Sequence, residues 1–519
     1  MFKKILKAAF VAAALATGIQ ALTAGSFKGL FGAKFWREKV LGNFLLMGLS
    51  YITSKGDENS AIKNIGFKNA VKNPIAARHM VYGQTRVGGT IVYQQTSGTN
   101  NNRLHNVIAL AGHEIEDITK MYIDAGKGMV ELSVASDFTE TASGSGIYIV
   151  NKSTFVNSSN TYKYNTAGGL IKIIFEKGDQ TAMNADVQTE INGIGGTDWT
   201  SNHKLQGIAY IYVGCVYDSD KFAAFPTFSF EVKGKKVVDP RVHATNTTYS
   251  NNPALIIRDY LKDTVYGFGA SNDEINDATT GAGFKQAADD CEDSISVTGG
   301  TENRFALNGQ FDATAEPQSI LENMLSSCAG QLGYNNGKFN LFVGKARTAA
   351  GTITDDKMLA PLQISMKQSG NERFNGVKAT FQRQDTDDYK AAEITPVKNT
   401  TFLNADTPDE ESTPNFERFM NLSFPLTTSK FTAQRLAEIA LKYSRQEVTT
   451  SVLVPLEFLA YQVGDVINLD NDRVGYSGKD FEITAMNFEF VGDNYLALRL
   501  DLKEYASSVF DNVTYTDIR

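Results

Sequence analysis

The chain has 519 residues, with 50 Lys plus Arg against 58 Asp plus Glu and a formal net charge of −8. That length suits roughly three to four domains, and 42% hydrophobic with 21% charged residues excludes a wholly disordered chain. The acidic balance argues against a generic phosphate-binding surface, and three scattered cysteines (Cys215, Cys291 and Cys328) exclude a disulfide scaffold, a zinc ribbon and a cysteine-ligated iron–sulfur cluster.

Lys3, Lys4 and Lys7 precede an apolar run from Ala8 to Leu22, and a second apolar stretch covers residues 35–52. Both are short for a membrane span, which needs about 20 residues. Two readings stay open: a cleaved secretory signal over 1–24, or two retained amphipathic helices within 1–52 that pack on a partner or lie on a membrane surface. Residues 53–77 are polar and read as a linker.

From residue 78 the pattern becomes short strands separated by turn residues. Residues 80–95 hold two apolar runs around Gly83, Gly88 and Gly89, and residues 103–112 and 205–219 read as strands. Residues 225–241 read as a hairpin centred on Lys233-Gly234-Lys235. Asn252-Pro253 is an N-cap and first-turn pair opening a helix whose buried face is Leu255, Ile256, Tyr260 and Leu261. A second helix starts near Pro317, with Ile320, Leu321, Met324, Leu325 and Cys328 at helical spacing. Asn335-Asn336-Gly337 then predicts a tight hairpin turn. A third helix is predicted over about 432–443, followed by strands at 451–458, 466–470, 481–490 and 495–505. The polar stretches 271–300 and 383–415 read as long loops or inter-domain excursions.

No motif assembles a reaction centre. His113-Glu114-Ile115-Glu116-Asp117 opens like a zinc-protease helix, but Asp117 stands where the second histidine belongs. Asp470, Asp472 and Gly475 begin a calcium-loop pattern that Val474 and Phe481 break, so a β-turn is expected. Ser143-Gly144-Ser145-Gly146 lacks the leading glycine of a nucleophile elbow. Acidic pairs (Glu116/Asp117, Asp289/Asp290, Glu410/Glu411) read as solvated faces rather than a glycosidase dyad. Catalytic, cofactor-binding and metal-ligating residues are therefore all expected to be absent, and the cysteines to be buried thiols.

Five stretches in order carry a resemblance: 81–93 with 104–118, 205–218 running into 225–241, 252–269, 305–344, and 461–469 closing with 498–511. Together they resemble the central tail hub proteins of long-tailed bacteriophages, the lambda-type tip attachment proteins among them. The resemblance implies a mainly β fold with α/β insertions, a multi-domain baseplate-hub fold with tube-like β-barrels preceded by apolar N-terminal helices. It divides the chain into an apolar helical segment (1–52), a linker (53–77), a first β-rich hub region with a tube-like barrel and an insertion (78–245), an α/β hub region (246–345), a second tube-like β region with a helix (346–450) and a C-terminal β region closing the hub (451–519). It further implies a non-enzymatic homotrimer in the virion. Its expected partners are the tube-side distal tail proteins, the tape-measure protein and a separate tip or fibre protein, since larger family members continue past the hub. DNA would pass without specific binding, which the acidic balance suits, and residues 1–52 would plug the lumen, bind the tape measure or touch membrane. The competing readings are a secreted or envelope-associated β-rich adhesin with a cleaved signal peptide and a tail-associated hydrolase.

Overall fold

The computed structural model describes residues 44–47 and 69–511, apart from 74–75, 165–167, 194–197, 367–372, 385–388, 408–416 and 492–494. After strand β1 (Phe44–Met47), the main body opens with β2 (His79–Tyr82), β3 (Gln84–Val87) and β4 (Thr90–Ser97). These are three legs of one extended run, bent where glycine permits it. Gly83 and Gly89 hold φ of 62° and 75°, a region that side chains with a Cβ rarely enter.

The run feeds a first β body. It adds β5 (Arg103–Ala111), β6 (Asp117–Asp124), β7 (Met129–Ser133), β8 (Phe138–Glu140), β9 (Ile147–Val150), β10 (Ile171–Glu176), β11 (Ala209–Val216) and β12 (Thr227–Lys233). One sheet runs β4-β5-β11-β10-β9-β8 and the other β3-β12-β6-β7. Their edges are joined covalently. β3 passes into β4 through Gly88-Gly89, and β7 passes into β8 through the helical turn Val134–Asp137. Each edge strand of the smaller sheet thus continues as an edge strand of the larger, the way orthogonal sheets turn corners. Val87, Ile108, Met121, Ile123, Ile173, Ile211, Val213 and Phe230 fill the space between them.

Every residue of β11 is buried. Ala209, Ile211, Val213 and Cys215 face the inner core. Tyr210 and Tyr212 face outward under the helix Ala185–Asn192, with Val187, Ile191 and Trp199. That is why the sequence there is apolar without alternation.

The central core is α/β. Asn252 caps the helix Pro253–Lys262 by accepting from the Ala254 N–H at 3.0 Å, with Pro253 in the first turn. The helices Phe284–Glu292 and Pro317–Ser326 pack on it. Short strands β13 (Lys236–Val238) and β14 (Thr247–Tyr249) pair with each other, as do β15 (Ser294–Val297) and β16 (Gly300–Asn303), while β17 (Gly309–Asp312) pairs with β2. The hairpin of β18 (Gln331–Asn335) and β19 (Lys338–Phe342) turns at Asn336 and Gly337, with φ of 50° and 78°. This is the turn that Asn-Gly predicts.

After β19 the chain alternates between two bodies. β20 (Gly351–Ile353) and β21 (Gln363–Ser365) are followed by β22 (Gly376–Arg383), β23 (Lys390–Glu393), β24 (Val397–Lys398), the helix Thr400–Asp406, β25 (Phe419–Phe424) and the helix Lys430–Ser444. Strands β22 to β25 form one sheet, with β22 and β25 parallel. It packs under the helix Lys430–Ser444 and shares the central core through Val377, Phe381, Leu422, Leu436 and Ala440. Strands β26 (Thr449–Val454), β27 (Val466–Asn471), β28 (Tyr476–Val491) and β29 (Tyr495–Glu504) then build a C-terminal sheet ordered β20-β27-β28-β29-β26-β21. It curls around Val452, Ile467, Leu469, Phe481, Ile483, Leu498 and Leu500. One sheet therefore draws strands from both sides of the division expected between residues 450 and 451.

Four local expectations are corrected. The stretch 383–415 is not a plain loop, since it holds β23, β24 and the helix Thr400–Asp406. Residues 225–241 are not a hairpin: after β12, Gly234 and Lys235 donate to the carbonyls of Gly83 and Val81 at 2.7 and 2.8 Å, and β13 turns away to β14. The stretch 271–300 is not a plain loop. It holds the helix Phe284–Glu292, with Phe284, Ala287, Ala288 and Cys291 on one buried face. Within the expected N-terminal helices, Phe44–Met47 is a strand, because its backbone completes the open edge of β18. The rest of 1–52 lies outside the described residues. Among the described residues no helix is long and apolar enough to cross a membrane.

Candidate functional site: polar junctions between the bodies

The residues singled out for chemistry are spent on structure. The His113 ring accepts the Val81 N–H at Nε2 (2.9 Å) and meets the Glu114 carbonyl at Nδ1 (2.8 Å). Glu114 pairs with Lys236, and Asp117 with Lys177 at 3.1 Å. Asp472 sits in the short 3₁₀ turn that Gly475 (φ 73°) ends before β28. Among residues 142–145 the Ser145 N–H closes a turn on the Ala142 carbonyl at 3.0 Å. Asp289 binds Arg241 at 2.8 Å and Asp290 binds Lys345 at 2.7 Å. Glu410 and Glu411 lie outside the described residues. Cys215, Cys291 and Cys328 are buried free thiols, with burial holding Cys215 and Cys328 up at about 12. Among the described residues no group of three or more His, Cys, Asp or Glu is placed to hold a metal.

The concentrated polar chemistry lies where the bodies meet. Between the first β body and the central core, Lys235 donates to Asp259 and Asp263 at 2.7 Å each, and the Tyr82 hydroxyl donates to Asp259 at 2.7 Å. Burial works against the Lys235 charge, but the two carboxylates outweigh it and hold the ammonium above its ordinary value. The same burial pushes the His113 imidazole down to about 4, so it is neutral at pH 7 with its proton on Nδ1, pointing at Glu114.

A second link fixes the other side of that body. Glu231, 2% exposed, accepts from Gln84 (2.7 Å), Thr119 (2.6 Å) and the Tyr389 hydroxyl (2.8 Å), the last reaching in from the start of β23. Gln382 on β22 reaches Thr85 at 3.3 Å.

Between the central core and the C-terminal sheet the key residue is Arg347. Its guanidinium donates to Glu482 at 2.9 Å, to Gln331 at 3.1 Å and to the Gly464 carbonyl, and it stands 4.5 Å from the Phe342 ring centre. Its N–H donates to the Tyr505 hydroxyl at 2.6 Å. Nearby, Lys503 lies 3.6 Å over the Tyr443 ring, and burial lowers its ammonium to about 8. Glu482 and Gln331 are 151 positions apart in sequence, so no local pattern could have revealed this clamp. These junctions tie the three bodies to one another.

The first junction predicts an acid response. A histidine near 4 when folded and near 6.5 when unfolded takes its proton first in the unfolded chain. Its contribution is whole above pH 6.5 and is lost as pH falls towards 4, by about 2–3 kcal/mol. Urea midpoints at pH 7 and 4.5 check this: His113→Gln, which cannot titrate, should lose less on acidification than the parent. Equal losses would remove His113 from the account.

One surface feature stands apart. A groove of about 280 Å³ on the first body is lined by Leu104, Cys215, Phe222 and Pro226, among others. Tyr217 and Phe225 border it, each 61% exposed. Exposed aromatic side chains beside an apolar groove are typical of contact surfaces.

Comparison with known proteins gives a consistent relation. Residues 316–486 match the family described as "Putative phage tail protein". The chain is 26% identical over 483 residues to the baseplate hub protein pb3 of Escherichia phage T5, covering 84% of this chain and 48% of that protein. It thus spans about half the length of that curated relative. A chain from the virion of a native gene transfer agent particle superposes with TM-score 0.55 at 14% identity, over 93% of this chain and 97% of that one. A tail protein from Neisseria meningitidis covers 83% of this chain and 96% of its own at TM-score 0.29, below the level at which a shared fold follows. The chain is similar to phage tail and baseplate hub proteins, and its fold is mainly β, as expected.

Proposed function

We propose that this protein is the structural central hub of a phage tail tip: a homotrimeric adaptor in the virion that joins the tail tube to the tip or fibre and lines the channel through which DNA leaves. The observation that carries the reading is the relation to a baseplate hub protein along 84% of the chain. The polar junctions give it physical sense, because an adaptor must hold its bodies at fixed angles to receive partners on different faces. Each chain contributes two curled β bodies, so three copies would offer six around the axis and match a six-fold tube. Ring contacts between copies would be heterologous, each face meeting a different one. The partners in this reading are the tube-side distal tail proteins, the tape-measure protein and a separate tip or fibre protein. DNA passes without being held, in keeping with the net charge of −8. Residues 1–52 plug the lumen, bind the tape measure or touch membrane during ejection. The reading assigns no reaction to the chain.

Native mass spectrometry of the full-length protein tests it. The expected species has three times the 56.7 kDa chain mass and retains residues 2–24. A monomer lacking those residues would overturn the reading in favour of a secreted protein.

A further inference from the structure

We infer that the open edge of β18 is a strand-acceptor site through which copies of this chain are linked, Phe44–Met47 of one copy pairing with Gln331–Tyr334 of the next. This rests on the homotrimer reading above. Within one copy the pairing is antiparallel, Phe44 opposite Tyr334 and Met47 opposite Gln331. It seats β1 in a slot formed by β18, the helix Pro317–Ser326 and β28. Without β1 the slot presents the unpaired backbone of a hairpin edge, a template that any extended segment can join.

Three observations make a neighbouring copy the source of β1. The 21 residues 48–68 separate β1 from the main body, a length of chain that spans at most roughly 70 Å. Strand pairing rests on backbone hydrogen bonds, which are the same whichever chain supplies the strand, so exchange sacrifices no contact. Donor and acceptor are also different parts of the chain. A strand on one copy and a slot on the next make a head-to-tail contact, the kind that closes a ring. The slot adjoins the Arg347 clamp, because Gln331, opposite Met47, also accepts from Arg347. A strand from a neighbour would therefore tie that copy to the joint between two bodies.

The test uses cysteine pairs in the full-length protein. Phe44→Cys with Tyr334→Cys, and Met47→Cys with Gln331→Cys, sample both kinds of antiparallel pair, since their positions alternate along the register. The three native thiols are buried and give little background. In the decisive arm, chains carrying only Phe44→Cys are refolded together with chains carrying only Tyr334→Cys and then oxidised. Exchange predicts a disulfide-linked heterodimer, and ladders to trimer from either double variant. Exclusively intrachain bonds, or no bond from either pair, would overturn the inference. Native mass measured on the same samples separates the two claims: a trimer with only intrachain bonds loses the exchange and keeps the hub, whereas a monomer loses both.

Discussion

Glu482→Ala is expected to destabilise the protein by about 3 kcal/mol, the low end for breaking a buried ion pair. Glu482 is 1% exposed and Arg347 15%. Removing the carboxylate leaves a guanidinium largely out of water with only the neutral acceptors Gln331 and Gly464. The slight exposure of Arg347 lets water recover part of the cost, which is why the low end applies. Lys503 should respond as well, since the Glu482 charge is what offsets its burial, and its ammonium should fall below 8. The double variant Arg347→Met/Glu482→Leu should recover much of the loss, because well-packed apolar groups can replace a buried pair at little cost. Urea unfolding of Arg347→Met, Glu482→Leu and the double variant measures this as a cycle. Equal losses in the single and double variants would show that packing, not uncompensated charge, governs the joint.

Gly83→Ala should have a comparable or larger effect. The backbone there is left-handed at φ 62°, which costs a residue with a Cβ about 1–2 kcal/mol. The added carbon would also stand 2.2 Å from the Leu307 carbonyl oxygen and 2.4 Å from Asn308 Oδ1. Neither can retreat freely. The Leu307 N–H is tied to Asn251, and Asn308 Oδ1 accepts from the Gln84 N–H at 2.8 Å. A loss of about 3 kcal/mol or more is expected, which for bodies of this size lowers Tm by roughly 6 °C or more. Gly337→Ala is the control: its φ is 78° but nothing lies within 4 Å of the added carbon, so only the backbone cost remains. Calorimetry that gave both variants the same shift would refute the steric part of the argument.

Elements that carry their own punctuation were legible in the sequence. Asn252-Pro253 starts its helix where a cap and a first-turn proline should, and Asn336-Gly337 turns its hairpin with both residues at positive φ. The helix Phe284–Glu292 was missed although its signal was present: Phe284, Ala287, Ala288 and Cys291 recur at helical spacing. Four acidic residues among nearby positions masked that stripe, and its N-cap is a glycine without a side-chain bond. The hairpin expected at 233–235 failed for a tertiary reason. Gly234 is there because Val81 leaves no room for a Cβ, whose carbon would sit 2.2 Å from the Val81 oxygen, and local turn rules do not report such contacts. The junctions were the least legible part. Lys235 meets Asp259 and Asp263 within one stretch of chain, but Arg347 with Glu482, and Glu231 with Tyr389, join residues more than a hundred positions apart. Only the ordered stretches, through resemblance, pointed to the architecture that brings them together.

The alternation of the chain between central core and C-terminal sheet has a mechanical consequence. The backbone goes from β19 to β20, returns between β21 and β22, and leaves again between the helix Lys430–Ser444 and β26. Two bodies on a single tether can swivel freely. Two bodies sewn by three passes of the same chain resist both torsion and separation, and a pull on one is shared among the stitches. The late strands also hold the early ones: β20 and β21 find their partners only once β26 and β27 have been made, so a chain released early keeps two strands with nothing to pair. Such a body is stiff only when whole, a useful property in a part that should bear load only after it is finished.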